Sequence, residues 1–266
     1  MELYSLGDDK KFKLHPRLRN IIIILVIIMF FVIGPFAIIF ALVAYFGIKQ
    51  HIKHKNMLKG FADEMGLEYI ESLSKNQSVL NSLESRLFSI GSSRTVSGLM
   101  VGEIEKHPLK IFNYFYTVGS GKSSTRYSFT VTEIEIGETR FPHILLRSKK
   151  MWRYNSRRIF GANKDVEINL EDKYKGKFSL YHTKNYEIEV LQIFTPQLLD
   201  YLIEHGNKFS IEFYGNKIYV FDNKVIRNKE DLKELYSINE IILKNTDGLL
   251  HRLKNDFDVL HEVYKS

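Results

Sequence analysis

The polar–apolar pattern changes character along the chain. From Ile21 to Ile48 there is no alternation at all: 28 residues carry no charge and no Asn, Gln, Ser or Thr. As a helix this run is about 42 Å long, against a hydrocarbon core of about 30 Å. It is long enough to cross a bilayer with tilt and too long for the h-region of a cleavable signal, so it predicts a transmembrane segment over 21–48. Gly34-Pro35 divides it into two stretches of 13 residues. That leaves a kinked single span or a re-entrant hairpin, whose arms of about 20 Å would each be too short to cross. The single span is preferred, because Gly and Pro are frequent in membrane helices.

Residues 49–66 follow as a juxtamembrane helix. Leu58, Phe61, Ala62 and Met65 fall on one face at helical spacing, and Gly66 is its stop signal. Leu67–Ile70 reads as a short strand and residues 76–88 as a short helix. From Gly98 the period drops to two. Leu99–Glu105, Leu109–Val118 and Tyr127–Ile136 predict strands, with a slip of register near Thr132, and His143–Arg147 predicts another. Further strands are expected between Val166 and Ile193, at Phe178–Tyr181 and Glu187–Ile193. Thr195-Pro196 opens a short helix with Leu198, Leu199 and Leu202 on its apolar side, ended by Gly206. Phe209–Tyr214 and Lys217–Phe221 flank Gly215-Asn216, a two-residue hairpin signal. Asn228 then caps a helix containing Leu232, Leu235 and Tyr236. Leu250, Leu253, Phe257, Leu260 and Tyr264 step by three and four along a last one. Two heptads are short for a coiled coil, so an amphipathic helix packed on the domain is expected there.

The order of elements predicts an α+β fold: one N-terminal transmembrane helix, then a mainly antiparallel-sheet domain with C-terminal helices. The expected organisation is a basic tail over 1–20, the span over 21–48, the juxtamembrane helix over 49–66 and an α+β soluble domain over 67–266.

Charge sharpens this picture. The chain is 266 residues long with a net charge of +7. The excess is concentrated in the tail, in residues 49–60 and in residues 147–158; the rest of the chain is net acidic. The third segment contains Arg147, Lys149, Lys150, Trp152, Arg153, Tyr154, Arg157 and Arg158 and no acidic residue. Aromatic rings inside a basic run suit an anionic lipid surface, where indole and phenol sit at headgroup depth. They would also suit single-stranded nucleic acid, but the adjacent bilayer favours lipid. A solvated loop beside the sheet is the bland alternative. The partners expected are the lipid bilayer, through the integral anchor, and an anionic lipid surface. The tail holds five basic residues and the segment after the span four, so the positive-inside rule does not orient the chain. A cytoplasmic domain on a single-pass cell-membrane protein is the orientation taken. Asn76-Gln77-Ser78, a glycosylation sequon, points weakly outward.

Candidate chemistry is sparse. Cysteine is absent, which excludes disulfides, cysteine zinc sites and thiol catalysis. Gly121-Lys122-Ser123 resembles the end of a phosphate-binding loop, but Tyr116 stands where the first glycine belongs and a strand follows, so a hairpin turn is expected. His51 and His54 are spaced to share a metal but have no further ligand cluster; interfacial basic residues are expected. Glu133 and Glu135 alternate as exposed strand positions do. No catalytic residue, cofactor or metal is implied, and a binding or scaffolding role is favoured over a membrane-anchored enzyme or an exterior ligand sensor.

Several stretches resemble a known family. They are Leu87-Phe88-Ser89-Ile90-Gly91 with Arg94 and Gly98-Leu99, then Phe112-Asn113-Tyr114-Phe115-Tyr116-Thr117-Val118-Gly119-Ser120-Gly121-Lys122, Pro142-His143-Ile144-Leu145-Leu146-Arg147, and Thr195-Pro196-Gln197-Leu198-Leu199. In that order they resemble a family of uncharacterised prokaryotic membrane proteins, a domain of unknown function covering roughly 60–240 here. The resemblance implies one or two N-terminal spans and an α+β domain with a Phe-Asp-Tyr-x-Tyr-type strand. Asn113 stands where that pattern has Asp. No activity, cofactor or catalytic residue comes with it.

Overall fold

A computed structural model of the chain describes residues 16–137, 140–151 and 165–263, without the side chains of 16–19, 22–23, 25–35, 37–38, 151 and 247–263. The first element is a 50-residue helix, α1 (Pro16–Met65). It is uninterrupted across Gly34-Pro35, so the re-entrant hairpin is not formed. Two compact units meet within α1, one ending at Lys53 and the other beginning at His54. In the first unit every residue from Ile39 to Gln50 is exposed. These include Ile39, Phe40, Leu42, Val43, Tyr45, Phe46 and Ile48, which point to all sides of the helix. Among the described residues, no helix is long and apolar enough to cross a membrane.

The second unit is built on a nine-stranded antiparallel sheet. Its strands are β1 (Glu68–Ile70), β2 (Ser92–Ile104), β3 (His107–Val118), β4 (Thr125–Glu135), β5 (Phe141–Ser148), β6 (Asp165–Ile168), β7 (Phe178–Thr183), β8 (Ser210–Gly215) and β9 (Lys217–Asp222). They lie in the order β1-β2-β3-β4-β9-β8-β5-β7-β6. The helices are α2 (Leu73–Ser82), α3 (Asp172–Lys175), α4 (Glu187–Ile193), α5 (Pro196–His205) and α6 (Lys229–Val263). The described elements thus form an α+β domain with a large antiparallel sheet, as the pattern predicts.

One sheet face carries the larger core. Ile111, Ile134, Ile144, Leu146, Ile211, Phe213, Ile218 and Val220 join Leu58, Phe61 and Ala62 of α1, Leu198, Leu199 and Leu202 of α5 and Leu232, Leu235, Ile238 and Ile242 of α6. The last turns of α1 are therefore part of this core, with Phe61 meeting Tyr236 edge-on at 6.4 Å. Glu64 of α1 pairs with Lys229 and Lys233 of α6. The opposite face carries a second cluster. Phe112, Tyr114, Tyr116, Phe129, Val131, Leu145, Tyr219 and Phe221 pack beneath Val79 of α2 and Leu87 and Phe88 of a 3-10 turn over Arg86–Ser89.

Covering both faces explains where sequence and structure part. Residues Phe129 to Ile134 of β4 are all buried, polar ones included. The apparent slip at Thr132 is no bulge: β4 pairs with β3 and β9 in unbroken register. Thr132 faces α6, and its hydroxyl donates to Asn239 Oδ1 at 2.8 Å. Glu133 lies on the other face and is 1% exposed, not solvated as alternation suggests. Glu187–Ile193 is a helix rather than a strand, because Val190, Ile193 and Phe194 share one face at spacing three and four. Other expectations hold. Gly215-Asn216 turns between Tyr214 and Lys217, which pair, with Gly215 at φ +61°. Gly121–Ser123 is a 3-10 turn in the β3–β4 connection. Thr195 Oγ1 accepts from Leu198 N at 3.3 Å, and Asn228 Oδ1 accepts from Asp231 N at 2.7 Å. Asn228 caps one helix running to Val263; the heptad-like positions 250–264 fall outside the described side chains.

Phe61→Ala removes a fully buried ring that ties α1 to α6. It is expected to cost about 3–5 kcal/mol of stability, read as a lower midpoint in denaturant unfolding.

Candidate functional site

Strand register brings polar residues from distant parts of the chain into two neighbouring rows. In one row Lys110 pairs with Glu133, Glu133 with Tyr219, Tyr219 with Glu212, and Glu212 with Leu145. In the next, Glu135 pairs with Lys217 and Lys217 with Tyr214, and beyond them stand His143 of β5 and Asp165 of β6. Side chains two apart on a strand share a face, so Glu133, Tyr219, Glu212, Lys217, His143 and Asp165 make one polar patch. The crossing between α2 and the 3-10 turn, residues 82–86, lies over it. Lys217 Nζ donates to Ser82 O at 2.9 Å, Ser85 Oγ to Glu212 Oε2 at 2.5 Å, and Arg86 Nη1 to Asp165 Oδ2 at 2.9 Å.

His143 is the centre of this arrangement. Its Nδ1 is 3.1 Å from Asp165 Oδ2 and its Nε2 is 2.9 Å from Glu212 Oε1. The three side chains are 5%, 3% and 2% exposed. A neutral imidazole donates from one nitrogen only, whereas two ionised carboxylates offer only acceptors. Both contacts are satisfied together by the imidazolium. Burial works against that charge, but the hydrogen bond donated to Glu212 and the charges of Glu212 and Asp165 outweigh it and hold His143 above its ordinary 6.5. With both nitrogens occupied, the ring offers no free lone pair, so the cluster acts as a clamp and not as a poised general base.

Glu133 anchors the other end of the patch. Lys110 Nζ lies 2.5 Å from its Oε1 and Lys217 Nζ 3.5 Å from its Oε2. Tyr219 beside it is held well above the usual phenol range, by burial first and then by the Glu133 charge. Two surface cavities border residues 82–86. One of about 700 Å³ is lined by Gln77, Leu80, Asn81, Glu84, Ser85 and Arg94, among others. The other, of about 500 Å³, has Arg140, Phe141, His143 and Tyr214 on its walls. Glu84 lines both.

A second polar string runs under the helices on the opposite face. Thr130 Oγ1 donates to Asn113 Oδ1 at 3.0 Å and accepts from Ile226 N at 2.9 Å. Asn113 Nδ2 is 3.4 Å from His54 Nε2. An amide fits position 113 because it accepts and donates at once, which a carboxylate does not. Next to Thr130, Asp222 is 1% exposed and its Oδ2 has no hydrogen-bond partner. Burial pushes its carboxyl up to about 6.

The residues singled out in the basic segment are not gathered into this patch. Arg147 is half-buried on β5, with its guanidinium 5.7 Å from the Tyr181 ring centre and Nη2 donating to Ser179 Oγ at 3.4 Å. Lys149 and Lys150 are exposed in the 3-10 turn after β5. Trp152, Arg153, Tyr154, Arg157 and Arg158 lie outside the described residues. Among the described residues no group of three or more His, Asp or Glu is arranged to hold a metal. Asn76 of the sequon is buried in α2, a poor position for a glycan acceptor. The patch itself was missed in the sequence because its members stand 22 and 69 residues from His143. The available signal was a charge between two apolar neighbours, as in Ile211-Glu212-Phe213, on a strand buried on both sides.

Three outcomes follow for stability. His143 has a raised folded-state value, so its contribution is complete below about pH 6.5 and is lost as pH rises through that value. Denaturant midpoints measured from pH 5.5 to 9 should fall for the wild type and flatten for His143→Gln. Asp222 has the same sign in a lower window, between its ordinary 3.8 and about 6. Asp222→Asn should therefore gain roughly 1–3 kcal/mol over the wild type at pH 7 and little at pH 3.5. Removing a buried partner has the opposite effect: Glu133→Ala leaves Lys217 with only the Ser82 carbonyl and the more distant Glu84, and should cost about 3–5 kcal/mol by the same measurement.

No protein-family model matches the chain, and no curated protein matches it. Among solved structures it is similar in fold to the mycobacterial trehalose monomycolate transport factor A, TtfA, with a TM-score of 0.50 and 13% identity. The similarity covers 72% of this chain and 94% of that one.

Proposed function

We propose that this chain is a membrane-anchored binding or scaffolding protein without catalytic activity, held at the bilayer surface by α1. The observation that carries the reading is the long helix through an uncharged run of 28 residues, with exposed apolar side chains on all sides of its described part. A helix that is apolar all round lowers its free energy only in a protein core or in lipid. Every side chain from Ile39 to Gln50 is exposed among the described residues, and in this proposal lipid is the apolar partner. The α+β domain then stands at the membrane surface, on the cytoplasmic side in this reading.

The basic and aromatic segment from Arg147 to Arg158 contacts anionic lipid in this proposal. Each basic residue near such a surface contributes about 1 kcal/mol at most, falling within a Debye length. The fold neighbour is a trehalose monomycolate transport factor, and a lipid-related binding role for this chain belongs to the same proposal.

Trp152 is the single tryptophan of the chain and reports on that segment. The full chain is expected to stay in the membrane pellet through alkaline carbonate extraction. In nanodiscs its fluorescence should be quenched by brominated lipid when the bilayer contains phosphatidylglycerol, and much less in pure phosphatidylcholine. Replacing Arg153, Arg157 and Arg158 together with Ser should remove the difference. Release of the chain by carbonate would sink the anchor, and equal quenching in both bilayers would sink the anionic contact.

A further inference from the structure

We propose that residues 82–86 form a proton-dependent latch over the polar patch, closed while the His143 imidazolium bridges Glu212 and Asp165 and released when that proton leaves. Its fastenings to charged groups converge on the patch, while Leu83 packs on the second core cluster beside them. Ser85 reaches Glu212, Arg86 reaches Asp165, and Lys217 reaches the Ser82 carbonyl. Ser85 Oγ also accepts from Leu87 N at 3.1 Å, so the turn that seats Leu87 and Phe88 depends on the same hydroxyl. Both carboxylates that hold the crossing are themselves held by one ring.

The charged and titratable groups around His143 come from every element packed on it. Glu212 and Tyr214 stand on β8, Asp165 on β6 and Arg86 on the 3-10 turn. Glu84 and Arg140 share its cavity, and the Lys217–Glu133 pair lies beyond Tyr214. When the ring is neutral, one nitrogen presents a lone pair to a carboxylate oxygen about 3 Å away, at a buried site. In either neutral tautomer one carboxylate loses a donor: with Nδ1–H toward Asp165, Glu212 keeps only Ser85, and with Nε2–H toward Glu212, Asp165 keeps only Arg86. The carboxylate that faces the lone pair is repelled, and its fastening on the partly exposed crossing moves with it. Its release joins the two cavities that Glu84 now separates into one groove floored by the polar patch. His143 is held above its ordinary 6.5, so this change lies above that pH.

Hydrogen exchange on the full chain in a non-ionic detergent tests the latch, reading the amides of residues 83–88 from pH 5.5 to 9 after correction for base catalysis. Wild-type protection should fall about tenfold or more through a single-proton transition, while amides of Phe112 to Tyr116 stay protected. Glu212→Gln is the deciding variant. A glutamine there donates to a neutral Nε2 while its oxygen still accepts from Ser85, and Nδ1–H still serves Asp165. The crossing should then stay protected across the whole range. His143→Gln should show low protection at every pH. A wild type with no pH dependence in 83–88, or a Glu212→Gln chain that loses protection as the wild type does, would overturn the latch. Should His143→Gln lose its folded circular dichroism, the comparison of wild type with Glu212→Gln decides alone.

Discussion

The sheet of this domain is covered on both faces, and that constraint governs the rest of the molecule. A strand buried on one side alternates, sending polar residues to water. Here the central strands β4, β8 and β9 lie under α1, α5 and α6 on one face and under α2 and the 3-10 turn on the other. Any polar residue on such a strand must find its partner inside the protein or cost several kcal/mol. Glu133, Glu212, Asp165 and Thr132 all do so, each with a partner from another strand, the 82–86 crossing or α6. Buried ion pairs of this kind add little to net stability but penalise any packing that separates them. Register is set the same way. A slip of one residue would turn Glu133 toward Leu235 and Ile242, and Thr132 toward Lys110 and Tyr219.

The two faces are covered unequally, and this explains where the domain can change shape. The helical face is closed by long elements whose apolar contacts run from Leu58 to Leu243. The other is closed by ten residues of α2 and one 3-10 turn. Phe88 secures that cover at one end, stacking edge-on against Tyr114 at 5.0 Å and Tyr219 at 5.3 Å. Over the polar patch the cover is held by hydrogen bonds and ion pairs to charged groups, with Leu83 as its apolar contact. Such bonds are strong while both partners keep their charge state and become liabilities when one changes.

The helix α1 meets different environments along its length. Phe61 and Ala62 are fully buried in the larger core, while Phe46 and Ile48 are more than half exposed. Between them the helix is polar, and two of its lysines, Lys55 and Lys59, both pair with Glu71 and hold its carboxyl down at about 2.

Much of this could be read from residue order. The apolar run at 21–48, the helix ending at Gly66, the strands through 99–136, the cap at Thr195 and the turn at Gly215-Asn216 are local events, fixed by side-chain size, backbone freedom and spacing within a few residues. The α+β class follows from them. What residue order could not give was the state of any polar residue on a strand, because alternation assumes one wet face. Glu133 reads as exposed for that reason, and Glu187–Ile193 reads as a strand because its apolar residues fit both periods until the position of the core selects one. The His143 clamp is likewise a product of register. Asp165, Glu212 and Ser85 are far from it in the chain, and only the strand order β8-β5-β7-β6 beneath the 82–86 crossing links the four groups by successive contacts of 3.1, 2.9 and 2.5 Å. The sequence by itself determined the apolar helix and the elements; the tertiary structure decided which charges are buried together, since that depends on contacts between strands that no local pattern encodes.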